Sequence, residues 1–371
     1  MKKVSILLLL SILMQGCQQA PHEQQKVDKT PSYHVGAPIA LFATYPSQAM
    51  KDLCDEKNVS EEPCKEDPLS GNLFVEQLTQ SGWFDKVLPA TNAADYELLI
   101  ATLSAQVSND NPVTQAQAQK TGNEGKGKVS TKPLYLTELT VQWRGIEIAS
   151  RIFETPYKPN GTDKMYVQNI LQAWWLRAIG KKIFSAEYLF DALGASDYKN
   201  DMTLPKQIQQ FVLLDTQLYP DPFKGVISRY IHPVFEGALL DITVAPILTP
   251  LTDPKEKRLV AALQNNLNEA TRMAQAQSLT LTIDAPIAPF TVDNGVFPGY
   301  SGYRIAVRAE SESTETIYAT TYAFEMKDKL VTLSTTFPPR IADALIKEAL
   351  PQIVVPDPSP LMQTLRKLAQ Q

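Results

Sequence analysis

Histidine and serine are the residue types from which a hydrolytic site would have to be built, and the sequence offers few suitable arrangements. It contains three histidines, of which His22 and His34 lie near the amino terminus, so that a Ser-His-Asp triad would have to use His232. Ser301 stands in a Gly-Tyr-Ser-Gly-Tyr stretch, where Tyr303 occupies the second glycine position of a nucleophile elbow. The pattern predicts neither a triad nor a histidine-based metal site, and a hydrolase using carboxylates or His232 remains the alternative.

The most polar internal stretch, residues 109–132, is the second place at which chemistry could be expected. Gly122 and Gly127 have the separation of a phosphate-binding loop and Lys128 follows them. Val129, however, stands where serine or threonine must bind magnesium, and the flanks are polar where a buried strand is needed. We predict a hairpin tip, no nucleotide and no cofactor.

The sequence contains three cysteines, and two of them, Cys54 and Cys64, lie within the acidic segment 52–67. No histidine is close to them, which argues against a zinc site. In an exported protein such a pair predicts a disulfide, whose short loop contributes about 2–3 kcal/mol to local order. Free thiols are the alternative.

The third cysteine follows a short apolar run at the amino terminus. Two lysines precede residues 4–14, which are almost entirely apolar, and Gly16 precedes Cys17. The run is too short to span a bilayer, for which about 20 residues are needed. The arrangement resembles a bacterial lipoprotein signal peptide, which implies removal of residues 1–16 and acylation of Cys17. By the same resemblance, Gln18 implies the outer membrane, facing the periplasm. The alternative is an ordinary secreted protein that is cut nearby.

Composition limits the partners of the remaining chain. The net charge is −5 for the whole sequence and −7 without Lys2 and Lys3, with no basic stripe, which argues against nucleic acid. Residues 17–35 are polar and predict a flexible tether between membrane and body. The length favours two domains, and no other segment is apolar enough to span a membrane.

Residues 36–195 form the first predicted α+β domain. Its predicted strands are 38–45, 84–88, 96–107 and one or two within 133–155, and its predicted helices are 69–82, 162–182 and 185–193. The Trp174-Trp175 pair within the second helix is interpreted as core packing, and a binding platform is the alternative.

Three runs in this domain carry a family resemblance: Asn72–Leu78, Ser81–Val87 and Ala94–Leu98. Together they resemble the α+β domain of the curli-secretion lipoprotein, the TolB amino-terminal domain and the auxiliary lipoproteins of ABC-type lipid transporters, over residues 36–155. The resemblance implies an envelope protein and transfers no catalytic residue. A secretion channel would also need long amphipathic hairpins, for which the sequence has no candidate.

A connector is predicted at residues 196–235, with a short helix at 207–218. The second α+β domain, 236–355, is predicted as a helix at 253–277, an antiparallel meander and a last helix at 338–350. Its segment Thr321–Pro338 is similar to the end of PsbP/Mog1-like domains, which implies a binding or assembly module. Residues 356–371 are predicted as a proline-rich tail with a short helix, which packs on its own domain or docks elsewhere.

These observations predict an α+β protein with two domains, each a mainly antiparallel sheet packed with helices. The predicted function is that of a non-enzymatic, lipid-anchored periplasmic protein. It would bind an envelope protein partner in assembly, transport or secretion. A lipid-anchored periplasmic hydrolase is the alternative.

Overall fold

The computed structural model describes residues 33–108, 131–293, 299–311 and 314–369. The predicted signal peptide, Cys17, most of the predicted tether and the glycine-rich residues 122–128 lie outside these ranges. The contacts divide the chain into two compact units, the amino-terminal one ending at Ser185 and the carboxy-terminal one beginning at Ala186. No helix in the described ranges is long and apolar enough to cross a membrane.

The amino-terminal unit contains a six-stranded sheet of order β3-β1-β4-β5-β6, in which β2 pairs with β4. The strands are β1 (Val35–Ala43), β2 (Lys65–Glu66), β3 (Phe84–Pro89), β4 (Tyr96–Ser108), β5 (Thr131–Trp143) and β6 (Ile146–Pro156). The helices are α1 (Gln48–Lys57), α2 (Gly71–Ser81) and α3 (Asp163–Gly180). The predicted strands and helices of residues 69–182 are therefore present, with small shifts at their ends.

The sheet is mixed, which the sequence analysis did not predict. β1 pairs in parallel with both β3 and β4, while β4, β5 and β6 form antiparallel neighbours. A parallel neighbour requires a long crossover, and the segment from α1 to α2 provides it between β1 and β3. The expected cysteine loop is in part this crossover, since Cys54 lies within α1.

Helices cover both faces of this sheet. Met50 and Cys54 of α1 pack against one face, on side chains such as Leu103 of β4. α2 and α3 pack together on the other face, where the Tyr96 ring lies 5.2 Å from the ring of Phe184. Trp174 and Trp175 of α3 are buried, which confirms their interpretation as core residues.

The predicted disulfide is present between Cys54 and Cys64. Cys54 is fully buried on α1, while Cys64 precedes β2, so that the bond joins the helix to the strand that pairs with β4. The covalent link therefore restrains a short loop against the core of the amino-terminal unit.

Loss of this bond is expected to lower the free energy of unfolding of the amino-terminal unit by about 2–3 kcal/mol, because the unfolded chain regains the entropy of a closed loop. The measurement is urea denaturation of the oxidised and reduced protein. The Cys54→Ala/Cys64→Ala variant is the control and should not respond to reductant. Equal midpoints for oxidised and reduced wild type would contradict the expectation.

The carboxy-terminal unit contains an eight-stranded antiparallel sheet of order β11-β12-β13-β14-β10-β9-β8-β7. The strands are β7 (Gln207–Ile208), β8 (Phe211–Leu218), β9 (Val226–Ile231), β10 (Leu239–Pro246), β11 (Thr280–Val292), β12 (Tyr300–Ser311), β13 (Thr314–Met326) and β14 (Lys329–Thr335). The helices are α4 (Ala186–Leu193), α5 (Lys255–Ala276), α6 (Pro339–Ala349) and α7 (Pro360–Leu368). The fold class of the protein is α+β, as predicted.

The alternation of side chains along β13 explains why helices cover both faces of this sheet. Tyr322 and Phe324 belong to the main core, which includes buried residues of α6, whereas Ala323 between them packs with Leu259 and Leu263 of α5. Leu259 and Leu263, four positions apart on α5, therefore lie on the face of this helix that contacts the sheet.

Two predictions about this unit need correction. The predicted helix at 207–218 is wrong, because β7 and β8 occupy those residues, and the predicted connector 196–235 contributes three strands to the sheet. The sequence also predicts two separate strands of the meander at 279–283 and 288–292, but β11 is one strand with register shifts between Ile283 and Ala288. The bulge interrupts the alternation of apolar and polar residues, and that alternation is the pattern from which a continuous strand is predicted.

The carboxy-terminal segment packs on its own unit. Arg366 of α7 donates to Asp328 (Nη1–Oδ2 2.7 Å) at the β13–β14 turn and to the carbonyl oxygen of Ile247 (3.2 Å). Leu361 and Met362 of α7 are buried. The sequence left two positions open for this helix, packing on its own domain or docking elsewhere, and in the structure it packs on its own domain.

Candidate binding site at the open edge of strand β8

The structure does not bring together the residues from which the sequence could have built a hydrolytic site. His232 follows β9, and Ser301 lies on β12. β12 and β9 are separated by β13, β14 and β10 in the sheet. Four strand spacings of about 4.8 Å put these positions roughly 19 Å apart. His232 and Ser301 therefore cannot form a nucleophile–base pair in this fold.

The surroundings of His232 give it a structural role. Its Nδ1 accepts hydrogen bonds from the backbone N–H groups of Val234 (3.1 Å) and Phe235 (3.2 Å). Its Nε2 lies 2.7 Å from Oε1 of Gln210, to which it donates because Nδ1 is the acceptor. The side chain thus joins the turn after β9 to the β7–β8 turn.

In the described ranges the sheet of the carboxy-terminal unit has two edges, one at β11 and one at β7–β8, and the short β7 leaves most of the outer edge of β8 open. The two-residue strand β7 pairs only with Phe211 and Val212, and the Leu213 N–H donates to the Lys206 carbonyl oxygen (3.0 Å). Within the described ranges no strand pairs with the outer edge of residues 214–218. An open strand edge is a template for another extended segment.

The direction of the backbone groups along this edge follows from one hydrogen bond. The Tyr219 N–H donates to the Gly225 carbonyl oxygen on the inner side (3.0 Å). Because N–H and C=O groups alternate in direction along a strand, Thr216 and Leu218 direct theirs to the open edge. Leu214, at the bulge of β8, has 58% of its surface exposed beside them.

A cavity of about 650 Å³ lies next to this edge on the core side of the sheet. Its sheet side is formed by Leu213, Thr216 and Leu218 of β8 with Val226 of β9. The opposite side carries Tyr198, Met202 and Leu204, and polar groups are supplied by Glu187, Lys199 and Gln217. The lining is about equally polar and apolar, so the cavity could accept either a polar or an apolar group of a bound segment.

Tyr198 contributes to the wall of this cavity, and its hydroxyl group is buried. It is 3% exposed, and no group in the described residues meets hydrogen-bond geometry with its hydroxyl. Ser196 lies close enough to lower the pKa of Tyr198, but burial is the larger effect and raises that pKa well above its ordinary value. The hydroxyl therefore stays protonated and is able to donate a hydrogen bond.

Sequence reasoning missed this site because it placed residues 207–218 in a helix within a connector. Apolar residues occur at both odd and even positions of Phe211–Leu218, because Leu214 is an extra residue with no partner in β9. The alternation that indicates a strand is thereby interrupted. The proline-rich surroundings also favoured a connector over a sheet edge.

The predicted lipid attachment residue, Cys17, lies outside the described residues, so the structure leaves acylation as a prediction. The predicted disulfide residues are paired as described above. Neither is part of the β8 site.

Comparison with known proteins gives limited information. No protein-family model and no curated protein matches the chain. Among solved structures, cyanobacterial PsbP (CyanoP) from Synechocystis is similar over 43% of this chain and 89% of its own, with 14% identity and a TM-score of 0.29. A Xanthomonas campestris protein of family DUF330 is similar over 43% of this chain and 94% of its own, with 12% identity and a TM-score of 0.24.

These similarities are too low to carry an argument about function. The PsbP-like resemblance of residues 236–355 therefore stays a prediction. The resemblance of residues 36–155 to envelope lipoproteins stays a prediction.

Proposed function

We propose that this protein is a lipid-anchored, non-enzymatic protein of the bacterial outer membrane. It faces the periplasm and binds a protein partner in cell-envelope assembly, transport or secretion. The observation that carries the proposal is the open edge of β8 beside the cavity. The Cys54–Cys64 disulfide supports an oxidising compartment, where such bonds persist.

The β8 edge supports binding of an extended segment of the partner. Such a segment adds as a strand through backbone hydrogen bonds, and its alternate side chains enter pockets. Thr216 and Leu218 offer the backbone groups, and their side chains also line the cavity. Backbone pairing would supply affinity, while the cavity would select one side chain of the partner.

Proline at position 216 tests this mode of binding. Thr216→Pro removes one outward N–H and leaves the hydrogen bonds between β8 and β9 in place, because proline is tolerated on an edge strand. Thr216→Val is the matched control, since it keeps the N–H and removes the hydroxyl that contacts Ser228. We expect the proline variant to weaken partner binding at least about tenfold, as expected for loss of a hydrogen bond and of strand geometry.

The measurement is photo-crosslinking in cells from an unnatural residue at Gln217, which lines the cavity. One dominant adduct with an envelope protein is expected in wild type and Thr216→Val, and its loss in Thr216→Pro. Mass spectrometry of the intact protein reports whether a diacylglyceryl group is on Cys17. An adduct that persists in the proline variant, or an unacylated Cys17, would contradict the corresponding half of the proposal.

A further inference from the structure

The exposed side of α3 combines apolar and basic residues near the point where the described chain begins. We propose that this surface, the α3 patch, lies against a membrane surface that carries anionic phospholipid headgroups. The α3 patch consists of Tyr33, Trp83, Leu176, Arg177, Lys181 and Lys182. The inference rests on the proposed anchoring at Cys17 and adds an orientation of the amino-terminal unit to it.

The apolar part of the patch is built around Trp175. Its buried ring stacks on Trp83, with ring centroids 4.6 Å apart and an angle of 4° between the planes. The Tyr33 ring lies 6.0 Å from the same ring. Trp83 is half-buried, Tyr33 is 43% exposed, and the neighbouring Leu176 is 60% exposed. Tryptophan and tyrosine at a surface suit the interface of a bilayer, where the rings contact both acyl and headgroup regions.

The basic part of the patch lies at the carboxyl end of the same helix. Leu176, Arg177 and Lys181 share the exposed stripe of α3, and the exposed Lys182 follows. Asp85, an acidic residue two positions after Trp83, is paired with His34 (Oδ1–Nε2 2.7 Å). The patch therefore has a positive charge that complements anionic lipids, although the whole chain is acidic.

Chain length connects the patch to the proposed anchor. Tyr33 is sixteen positions after Cys17. A chain of that length spans at most roughly 55 Å even when fully extended. Because Tyr33 itself contacts Trp175, the anchor restricts the α3 patch to a zone next to the bilayer. A tethered surface is present at an effective concentration on the order of millimolar, so weak contacts are sufficient for docking.

The test supplies the anchor chemically. Cys17 is the one cysteine of the three outside the disulfide, so the chain 17–371 can be coupled through its thiol to a maleimide-bearing phospholipid. The vesicles contain phosphatidylethanolamine with or without phosphatidylglycerol, and brominated acyl chains quench tryptophan near the interface. We expect stronger quenching with phosphatidylglycerol, reduced by added salt.

The patch variant is Leu176→Gln/Lys181→Gln/Lys182→Gln. Each lysine removed is expected to weaken docking about fivefold, so that quenching falls to the level without phosphatidylglycerol. The control variant, Val59→Gln/Lys51→Gln/Lys65→Gln, likewise changes one aliphatic residue and two lysines at exposed positions. Lys51 lies in α1, Val59 follows that helix, and Lys65 lies in β2. It should behave as wild type.

Equal quenching in wild type and patch variant would overturn the proposal. A patch variant that keeps its vesicle contact but loses a crosslink to an envelope protein would also overturn it, because the surface would then serve a protein. Since the thiol coupling replaces natural acylation and the vesicles contain no β8 partner, the quenching result is independent of whether the proposed function holds.

Discussion

Replacement of Gly225 by alanine is expected to lower the free energy of unfolding of the carboxy-terminal unit by about 2–6 kcal/mol. Gly225 ends a short 3₁₀ turn (Pro222–Lys224) and precedes β9, with φ 67° and ψ −123°. This conformation is open to glycine and strained for any residue with a Cβ atom. The strain alone accounts for about 1–3 kcal/mol.

The second part of the cost is steric. A methyl group at residue 225 would lie 2.8 Å from Cα of Ala245 and still closer to the carbonyl oxygen of Val244. Both are backbone atoms of β10 and cannot move aside without separating β9 from β10. Val226, the next residue, lines the cavity, so the variant is expected to weaken partner binding as well.

Gly237→Ala is the matched control for this prediction. Gly237 also has a positive φ, 83°, but a methyl group there would meet no atom within 4 Å. We expect a loss of about 1–2 kcal/mol, from backbone strain alone. Calorimetry of both variants provides the measurement, and equal transition temperatures for the two would show that close packing on β10 contributes nothing.

The sequence predicted the elements with strong periodicity and clear ends. α2 ends where Gly82 adopts a left-handed conformation (φ 66°), and the Thr162 side chain accepts a hydrogen bond from the Met165 N–H at the start of α3. Such signals are local, because a cap or a turn is decided by a few neighbouring residues.

The pairing of distant strands was less accessible to sequence reasoning. Parallel pairing of β1 with β3 depends on the crossover through α1. No helix was predicted at the residues of α1, because the cysteine pair indicated a loop there. The β8 edge was missed because its bulge breaks the alternation. An open edge is also a property of the sheet order, which no single stretch of sequence contains.

The two surfaces of the proposals lie in different units and call for different chemistry. The β8 site combines outward backbone groups with a cavity lined by both polar and apolar groups, which suits an extended peptide. The α3 patch combines aromatic and basic side chains, which suits a lipid surface. One unit would thus be held at the membrane while the other presents an edge to a partner. Independent variants at Thr216 and at Lys181 can separate these roles.

Replacement of Asp328 by asparagine is expected to lower the free energy of unfolding by about 3–5 kcal/mol near neutral pH. Asp328 pairs with Lys329, whose side chain is fully buried, and with Arg366 of α7 (2.7 Å). Nζ of Lys329 also donates to the Asp357 carbonyl oxygen (3.3 Å). Without the carboxylate, a buried ammonium group would be left with little compensation.

Asp357→Asn is the control for the loss of a carboxylate. The Asp357 carboxylate pairs with Lys327 (2.7 Å) but is 86% exposed, and an exposed pair contributes at most about 1 kcal/mol. Asp328→Asn/Lys329→Met should regain most of the stability lost in Asp328→Asn, because it removes the buried charge together with its partner. A double variant as unstable as the single one would contradict the role of Lys329.

The pH dependence gives the Asp328 prediction a signature that a packing defect would lack. Burial lowers the pKa of Lys329 below its ordinary value of 10.5, and Asp328 opposes that shift. Between the lowered pKa and the ordinary one, the unfolded chain binds more protons than the folded chain, so the free energy of unfolding rises with pH.

Removal of Asp328 lowers the pKa of Lys329 further. In the variant, the free energy of unfolding therefore begins to rise at a lower pH than in wild type. The deficit of Asp328→Asn relative to wild type should therefore shrink as the pH rises from neutral towards 10.5 in urea denaturation. A deficit that does not change with pH would show that Lys329 remains charged and compensated without its carboxylate partner.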